Sequence, residues 1–532
     1  MAETRRRGRR LMPGRMKQAA DLRARQAGDR LHRFHGGLSL PHNKAVSCGV
    51  PLERAPLPGE LFIPLLQQSG REAEPTVNAG DTVLKGETIG RFRHLGRGCV
   101  HAPTSGTVTG VVLHPISHAS GEEGRCVVIR PDGRDQWKDL QPIGDWQQTD
   151  PEALRERIRN SGIVGLGGAM FPTGFKLREA QRRGIHTLIL NGSECEPYIS
   201  CDETLMREQP ESIVLGARIL QRAVGAKRTI IAIEDQMGAV RNALETAIEG
   251  AGDSTIRVVR VMPVYPEGGE KQLIRVLTGL EVPSGGRPSD LGLLCQNVAT
   301  ATAAARAVVE GKPLVERVVT VTGPGVRRPR NLLAAIGTPI SVLVEQCGGY
   351  TPDAARLVLG GPMMGFPLGS DANPVTKAAN CVLVLTEKEI RDKRPEMPCI
   401  RCGDCARACP AQLLPQQLHR FVRADAWDDA GGAGLADCIE CGCCDLVCPS
   451  HIPLANWFRY GKSRLRERAL ERHRADQARQ RFEAREARQE RIRLERKQRI
   501  ATKKAALHDD AAKKAQIAEA VERARKKQEH TP

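Results

Sequence analysis

"DCIECGCCDLVCP" (Asp437–Pro449) places five cysteines within eleven residues, and "PCIRCGDCARACP" (Pro398–Pro410) has nearly the same spacing. The earlier motif reads Cys399-x2-Cys402-x2-Cys405-x3-Cys409-Pro410, and the later one Cys438-x2-Cys441-x2-Cys444-x3-Cys448-Pro449. Cys443 is the surplus cysteine. Thiolates so closely spaced are soft metal ligands, and a C-x2-C pair alone also suits zinc. Two copies, each closed by Cys-Pro, point instead to iron–sulfur chemistry.

Both motifs have the spacing of bacterial ferredoxins, in which three thiolates bind one [4Fe-4S] cluster and the fourth crosses to the other. That resemblance implies one cluster on Cys399, Cys402, Cys405 and Cys448, and a second on Cys438, Cys441, Cys444 and Cys409. The linker between the motifs is long for a compact ferredoxin and carries a helical stretch over Pro415 to Arg423. It is more similar to the helical ferredoxins of large redox complexes. Cysteines 48, 99, 126, 195, 201, 295, 347 and 381 are scattered and read as small buried hydrophobes.

At 532 residues the chain exceeds what one core usually serves, so about three or four domains are expected. No apolar run is long enough to span a bilayer. The N-terminal "MAETRRRGRRLMPGRMKQ" lacks the apolar stretch and cleavage site of a secretory signal, so a cytoplasmic protein without disulfides is expected. The net charge of +18 is carried by the ends: residues 1–33 hold 11 basic and 3 acidic side chains, residues 459–532 hold 24 and 12. The body is near neutral. With 3% aromatic residues and no nucleic-acid-binding motif, specific DNA or RNA binding is not expected. The tail from Gly461 repeats Glu and Arg three or four apart, as a solvated helix does. A sharper reading makes it an electrostatic arm toward an anionic membrane face or acidic partner subunits.

From Pro75 to Val112 apolar and polar residues alternate between Gly-Asp and Ser-Gly turns, predicting short strands. The pattern resembles barrel-sandwich carriers of biotin or lipoate, yet "GRFRHLGRGCV" (Gly90–Val100) lacks the lysine they modify, so a structural role is expected. His35, His42, His94, His101, His114 and His118 have no metal-ligand spacing and are expected on surfaces or turns. "NSGIVGLGGAMFPTGFKL" (Asn160–Leu177) then crowds glycines before a predicted helix, where backbone amides and a lysine can meet a phosphate. A merely tight turn is the alternative. The run "IHTLILNGSECEPY", a helix near Glu211–Ala223 and "RTIIAIED" (Arg228–Asp235) predict a parallel α/β sheet, whose carboxyl-end loops bind ligands.

These stretches, together with "YPEGGEKQL" from Tyr265 and "CQNVAT" from Cys295, resemble the flavin and NADH-binding subunit of respiratory complex I. The resemblance implies FMN at Gly165, Gly167, Gly168, Lys176, Asn191, Glu194, Tyr265, Gly268, Glu270, Asn297 and Thr300. It implies that Phe171 and Glu196 meet the nicotinamide nucleotide. Leu166, Met170, Ser193 and Gly269 depart from that family's usual Arg, Gly, Asp and Glu, and no second Phe follows Lys176. Further on, "ERVVTVTG", a short amphipathic stretch near Leu332–Ile336, "ISVLVEQCGG" and "ARLVLGGPMMG" predict strands around a short helix, as in the β-grasp soluble-ligand-binding domain of complex I flavin subunits. A spacer role is expected for it.

The expected multidomain α/β architecture is a basic extension (1–33), a barrel-sandwich β domain (34–145), a Rossmann-like FMN/NADH domain (146–312), a β-grasp domain (313–375), a helical twin-[4Fe-4S] ferredoxin domain (376–458) and a helical basic tail (459–532). This order is similar to that of the RnfC family, from the Rnf/Rsx ion-translocating electron transport complexes. The resemblance implies a peripheral oxidoreductase subunit on the cytoplasmic side of the bacterial inner membrane, taking electrons from NADH through FMN and two clusters to partner subunits. A ferredoxin is a further implied partner through the complex. The alternative is an iron–sulfur relay and scaffold without NADH oxidation of its own.

Overall fold

The computed structural model describes residues 28, 30–68, 72–93, 98–390 and 395–528. Most of the basic extension, and His94, lie outside them. The body to Phe458 and the unit from Arg459 onward are separate compact units.

Alternation over residues 61–131 yields two antiparallel sheets. One orders Leu61–Pro64, Glu123–Pro131, Gly106–Pro115 and Thr82–Val83, and the other Glu74–Pro75, Thr88–Arg91 and Cys99–His101. Leu61, Ile63, Val83, Ile89, Val100, Val108, Val127 and Ile129 fill the space within. His101 departs from the surface position expected of it. It is buried, its Nδ1 has no partner, and burial followed by the nearby Lys377 charge holds its pKa well below the usual imidazole range.

The next region is built on four parallel strands: β1 (Thr187–Gly192), β2 (Arg228–Glu234), β3 (Ile256–Val261) and β4 (Leu293–Asn297), ordered β3-β2-β1-β4. Helices α1 (Pro151–Asn160), α2 (Thr173–Gln181), α3 (Cys201–Glu208), α4 (Pro210–Val224), α5 (Gly238–Ala251), α6 (Glu270–Thr278) and α7 (Val298–Ala305) accompany them. Near-continuous apolar strands such as "TLIL" and "TIIAI" belong in a sheet covered on both faces, and nearly every residue of β1 and β2 is buried. Helix α4 runs from the first-turn Pro210 to Gly225 in the left-handed conformation, a start and stop written in the sequence. At Gly216 a Cβ would meet the Ala301 carbonyl oxygen at 2.0 Å, which presses α4 onto α7.

A six-stranded sheet follows, ordered Glu53–Arg54, Arg330–Ala335, Glu316–Thr322, Cys381–Thr386, Ala354–Leu359 and Phe366–Pro367. It borrows a strand from the N-terminal region and runs past residue 375, where the sequence pattern placed the end of the domain. The short helix is Ile340–Gln346, while the stretch expected to be amphipathic, 332–336, lies mostly in a strand. Pairing on both sides of Arg330–Ala335 overrides the helix preference of Leu and Ala, whereas Ile340, Leu343 and Val344 are buried at helical spacing.

Residues 395–458 contain no strand among those described; helices Asp404–Ala408 and Cys443–Leu446 lie within the cysteine motifs, and Pro415–Arg423 and Trp427–Gly432 lie between them. A final helix, Leu454–Gln528, extends through the tail. In the tail unit ion pairs three or four residues apart, such as Arg464–Glu467 and Arg523–Glu519, line an exposed surface. No helix among the described residues is long and apolar enough to cross a membrane.

Candidate redox site

In the order β3-β2-β1-β4 the winding direction reverses between β1 and β4, and open α/β sheets bind ligands at the carboxyl edge of such a switch point. The predicted glycine loop lies there. Leu166 N donates to Thr300 Oγ1 on α7 at 3.0 Å, and Gly165 N to the Phe171 carbonyl at 2.9 Å. A Cβ on Gly167 would face the Asn297 side chain at 3.6 Å, at the tip of β4. Gly168 has φ +104° with nothing within 4 Å of a Cβ, so the backbone borders open space in a conformation only glycine adopts without strain. Lys176, on α2, reaches the Cys295 carbonyl at 2.6 Å and pairs with Glu270 at the start of α6. Asn191 Nδ2 donates to the Gly268 carbonyl at 2.8 Å, and a Cβ on Gly268 would stand 2.4 Å from the Ser193 carbonyl oxygen.

Gly165, Gly167, Gly168, Lys176, Asn191, Gly268, Glu270, Asn297 and Thr300 are thus gathered along one sheet edge. The other predicted residues have partners of their own. Glu194 is buried and accepts from Cys201 Sγ and the amides of Asp202 and Glu203 at the start of α3. Burial pushes its carboxyl up to about 7 against the pull of Lys44. Glu196 accepts from the amides of Met363 and Met364, in the loop before Phe366–Pro367, at 2.7 and 3.0 Å. Phe171 is 42% exposed and meets Phe175 edge-on.

Three buried charges that no motif announced complete the neighbourhood. Asp202 accepts from Asn297 Nδ2, Arg317 Nη2 donates to the Leu166 carbonyl, and Lys44 lies 4.0 Å from Glu194 and 3.8 Å from Glu234. Burial pulls the Lys44 ammonium down, but the carboxylates around it leave its pKa raised. These partners are more than 90 residues apart in sequence, so periodicity could not have paired them.

The cysteines form two cavities. One is lined by Cys399, Cys402, Cys405 and Cys448 with Gln416 and His419. The other is lined by Cys409, Cys438, Cys441 and Cys444, with Cys443 beside them. Each therefore takes three cysteines from one motif and the fourth from the other. They differ in setting. Cys399 and Cys402 are exposed, as are their neighbours Met397 and Ile400, while Cys409, Cys441 and Cys444 are buried. The buried cavity adjoins the flavin region: Tyr265, after β3, donates its hydroxyl to the Cys441 carbonyl at 2.7 Å. The segment Phe34–Leu40 laces the same junction, with His35 Nδ1 2.9 Å from the Cys409 carbonyl oxygen, Gly37 N donating to the Ala408 carbonyl and Leu38 bridged to Tyr265.

These surroundings fit the groups the sequence implies. Four thiols around each cavity are the donor set of a cubane cluster. At the sheet edge, the open side of Gly168 and the Lys176 cation suit a phosphorylated ring, and two buried polar atoms there lack partners: Ser193 Oγ past β1 and Gln296 Nε2 on β4.

Comparison with known families bears on the same segments. Residues 32–134 match the RnfC barrel sandwich hybrid domain, 158–306 the Nuo51 FMN-binding domain, 318–367 the SLBB domain and 398–452 the 4Fe-4S dicluster domain. Together they define a multidomain flavin and iron–sulfur protein. RnfC proteins of the ion-translocating oxidoreductase complex from Pseudomonas aeruginosa, Serratia proteamaculans and Yersinia pestis are each 46% identical to it over 86, 88 and 88% of this chain. It belongs to that RnfC family. The chain spans 59, 66 and 75% of those relatives' own lengths. Among solved structures, an NAD+-reducing [NiFe]-hydrogenase in the H2-reduced state superposes at TM-score 0.41 and 20% identity, covering 60% of this chain and 62% of that one.

Proposed function

We propose that this chain is the peripheral electron-input subunit of a membrane-bound ion-translocating oxidoreductase, passing electrons between NADH, FMN, two [4Fe-4S] clusters and partner subunits. The observation that carries the reading is the direct seam between the flavin-region loop and one four-cysteine cavity, with the second cavity at the surface. FMN exchanges two electrons as hydride and passes them on singly to clusters that carry one each. Gly165, Gly167, Gly168, Asn191, Gly268, Glu270, Asn297 and Thr300 would border the flavin, and Lys176 would balance its phosphate. Cys409, Cys438, Cys441 and Cys444 would hold the cluster nearer the flavin, and Cys399, Cys402, Cys405 and Cys448 the one facing partners. The domain limits set out above are proposed with it, the β-grasp sheet being extended to Thr386.

We place the chain on the cytoplasmic face of the membrane, its basic tail toward anionic lipid or acidic subunits, and a ferredoxin beyond the partner subunits. A second reading, a relay and scaffold that does not oxidise NADH, is favoured by Glu196, whose carboxylate already serves two backbone amides. Stopped-flow mixing of the anaerobically purified chain with NADH separates the two. Rapid bleaching of flavin absorbance is expected; a flavin-loaded chain that stays unbleached would refute NADH oxidation and leave the relay.

A further inference from the structure

We infer that Tyr265 is a positioning residue for the iron–sulfur site of the second motif and sets its redox behaviour through the Cys441 carbonyl. The inference rests on the proposed placement of one cluster on Cys409, Cys438, Cys441 and Cys444.

The resemblance gave Tyr265 to the flavin, but its hydroxyl is directed across the seam. The residue is 2% exposed, and its backbone is held at both N and O by Leu38. It packs in one cluster with Ala408, Cys441 and Cys443, against which Cys195, Met363, Ile439 and Val447 also lie. Glu196 is within reach of the same hydroxyl. The ring is therefore fixed from several sides, and the hydroxyl is held 2.7 Å from the Cys441 carbonyl with the Glu196 carboxylate as its other neighbour.

A buried hydrogen bond to a ligand residue acts in two ways. It fixes the backbone that aims the thiolate, and it sets a dipole beside a site where little water screens it. Iron–sulfur potentials respond to hydrogen bonding and to solvent exposure. An O–H whose hydrogen points toward the cluster loop favours the more negative, reduced state. Losing it makes reduction of that cluster harder. The exposed cavity, ringed by Cys399 and Cys402, is the internal reference.

The test is a redox titration of the anaerobically purified full chain, followed by electron paramagnetic resonance, with iron counted in parallel. Tyr265→Phe is expected to keep the iron and to lower the potential of one cluster only. The expected size is a tenfold change in its oxidised-to-reduced ratio, about 59 mV for one electron. A fluorotyrosine placed at 265 keeps the packing and strengthens the donor, so the same cluster should shift the opposite way. Tyr350→Phe, which removes a hydroxyl bonded to Asp371, should move neither. Unchanged potentials with iron intact, or equal shifts in both clusters, overturn the inference while leaving the proposed function standing. Selective loss of one cluster in Tyr265→Phe supports it if the fluorotyrosine chain shifts that cluster, and overturns it if not. A wild-type chain that holds no clusters fails the proposed function itself.

Discussion

Glu267→Gln should stabilise the protein in alkaline solution and do little in acid. Glu267 follows the Tyr265–Pro266 step, is 2% exposed, and its Oε2 has no hydrogen-bond partner. Burial, reinforced by the nearby Glu234 charge, pushes its carboxyl from 4.5 up to about 8. Between those values the folded chain holds a proton that the unfolded chain has released, so stability falls as pH rises through the window. At about 1.36 kcal/mol per pKa unit the ceiling is roughly 4 to 5 kcal/mol, and relaxation around a buried charge leaves about 2. Glutamine has nearly the same shape and does not titrate. In a domain of this size 2 kcal/mol corresponds to roughly 4 to 8 °C in melting temperature. Scanning fluorimetry of both proteins from about pH 5 to pH 8.5 reads the difference between them, which cancels groups titrating elsewhere. The variant should match wild type at the acid end and melt higher at the alkaline end. A difference that does not change with pH, or one that favours wild type at pH 8.5, would falsify the claim that Glu267 is held protonated.

Lys176→Ala and Gly167→Val should each lower FMN content at least severalfold while iron stays constant; full flavin occupancy in both would place the flavin elsewhere. Cys443→Ser should leave about eight irons per chain, as two cubes require, whereas Cys444→Ser should lose about four; the reverse pattern would make Cys444 the spare. Truncation after Gly461 should spare the cofactors yet reduce co-sedimentation with anionic vesicles, since each tail cation near such a surface contributes about 1 kcal/mol. High salt should weaken the full-length chain's attachment as screening shortens to a few ångströms, and equal, salt-insensitive recovery of both forms would return the tail to a solvated helix.

Where the chemistry is local, the sequence was legible. The helix over Pro415 to Arg423 has the bounds predicted for it, and β2 differs by one residue from "RTIIAIED", because proline starts and apolar runs act over a few neighbours. The crossed cysteine sets followed from spacing and ferredoxin resemblance, and the structure gathers the same residues. Legibility failed where partners are distant. "ISVLVEQ" is rich in β-branched residues yet forms a helix, whose Ile340, Leu343 and Val344 are buried at helical spacing. Glu194, Glu196 and Tyr265 lie in polar loops that read as ligand contacts, and no local pattern announces the partners folding gives them: α3, the 363–364 amides and Cys441. Lys44, Asp202 and Arg317 carry no motif at all, and their burial arises only when three regions meet.

Cys409 and Cys448 sit across from their own motifs, and on the proposed ligand sets this exchange would govern how the protein matures. While the chain is being made, the first motif leaves the ribosome with its own four cysteines, but the fourth ligand of its proposed site, Cys448, is still to come. On those sets no site would be completed until both motifs exist, so metallation would be a late event, coming after the flavin region has been synthesised. On those sets, oxidation of Cys409 alone would open the inner site, while Cys448 would still tie the second motif to the first.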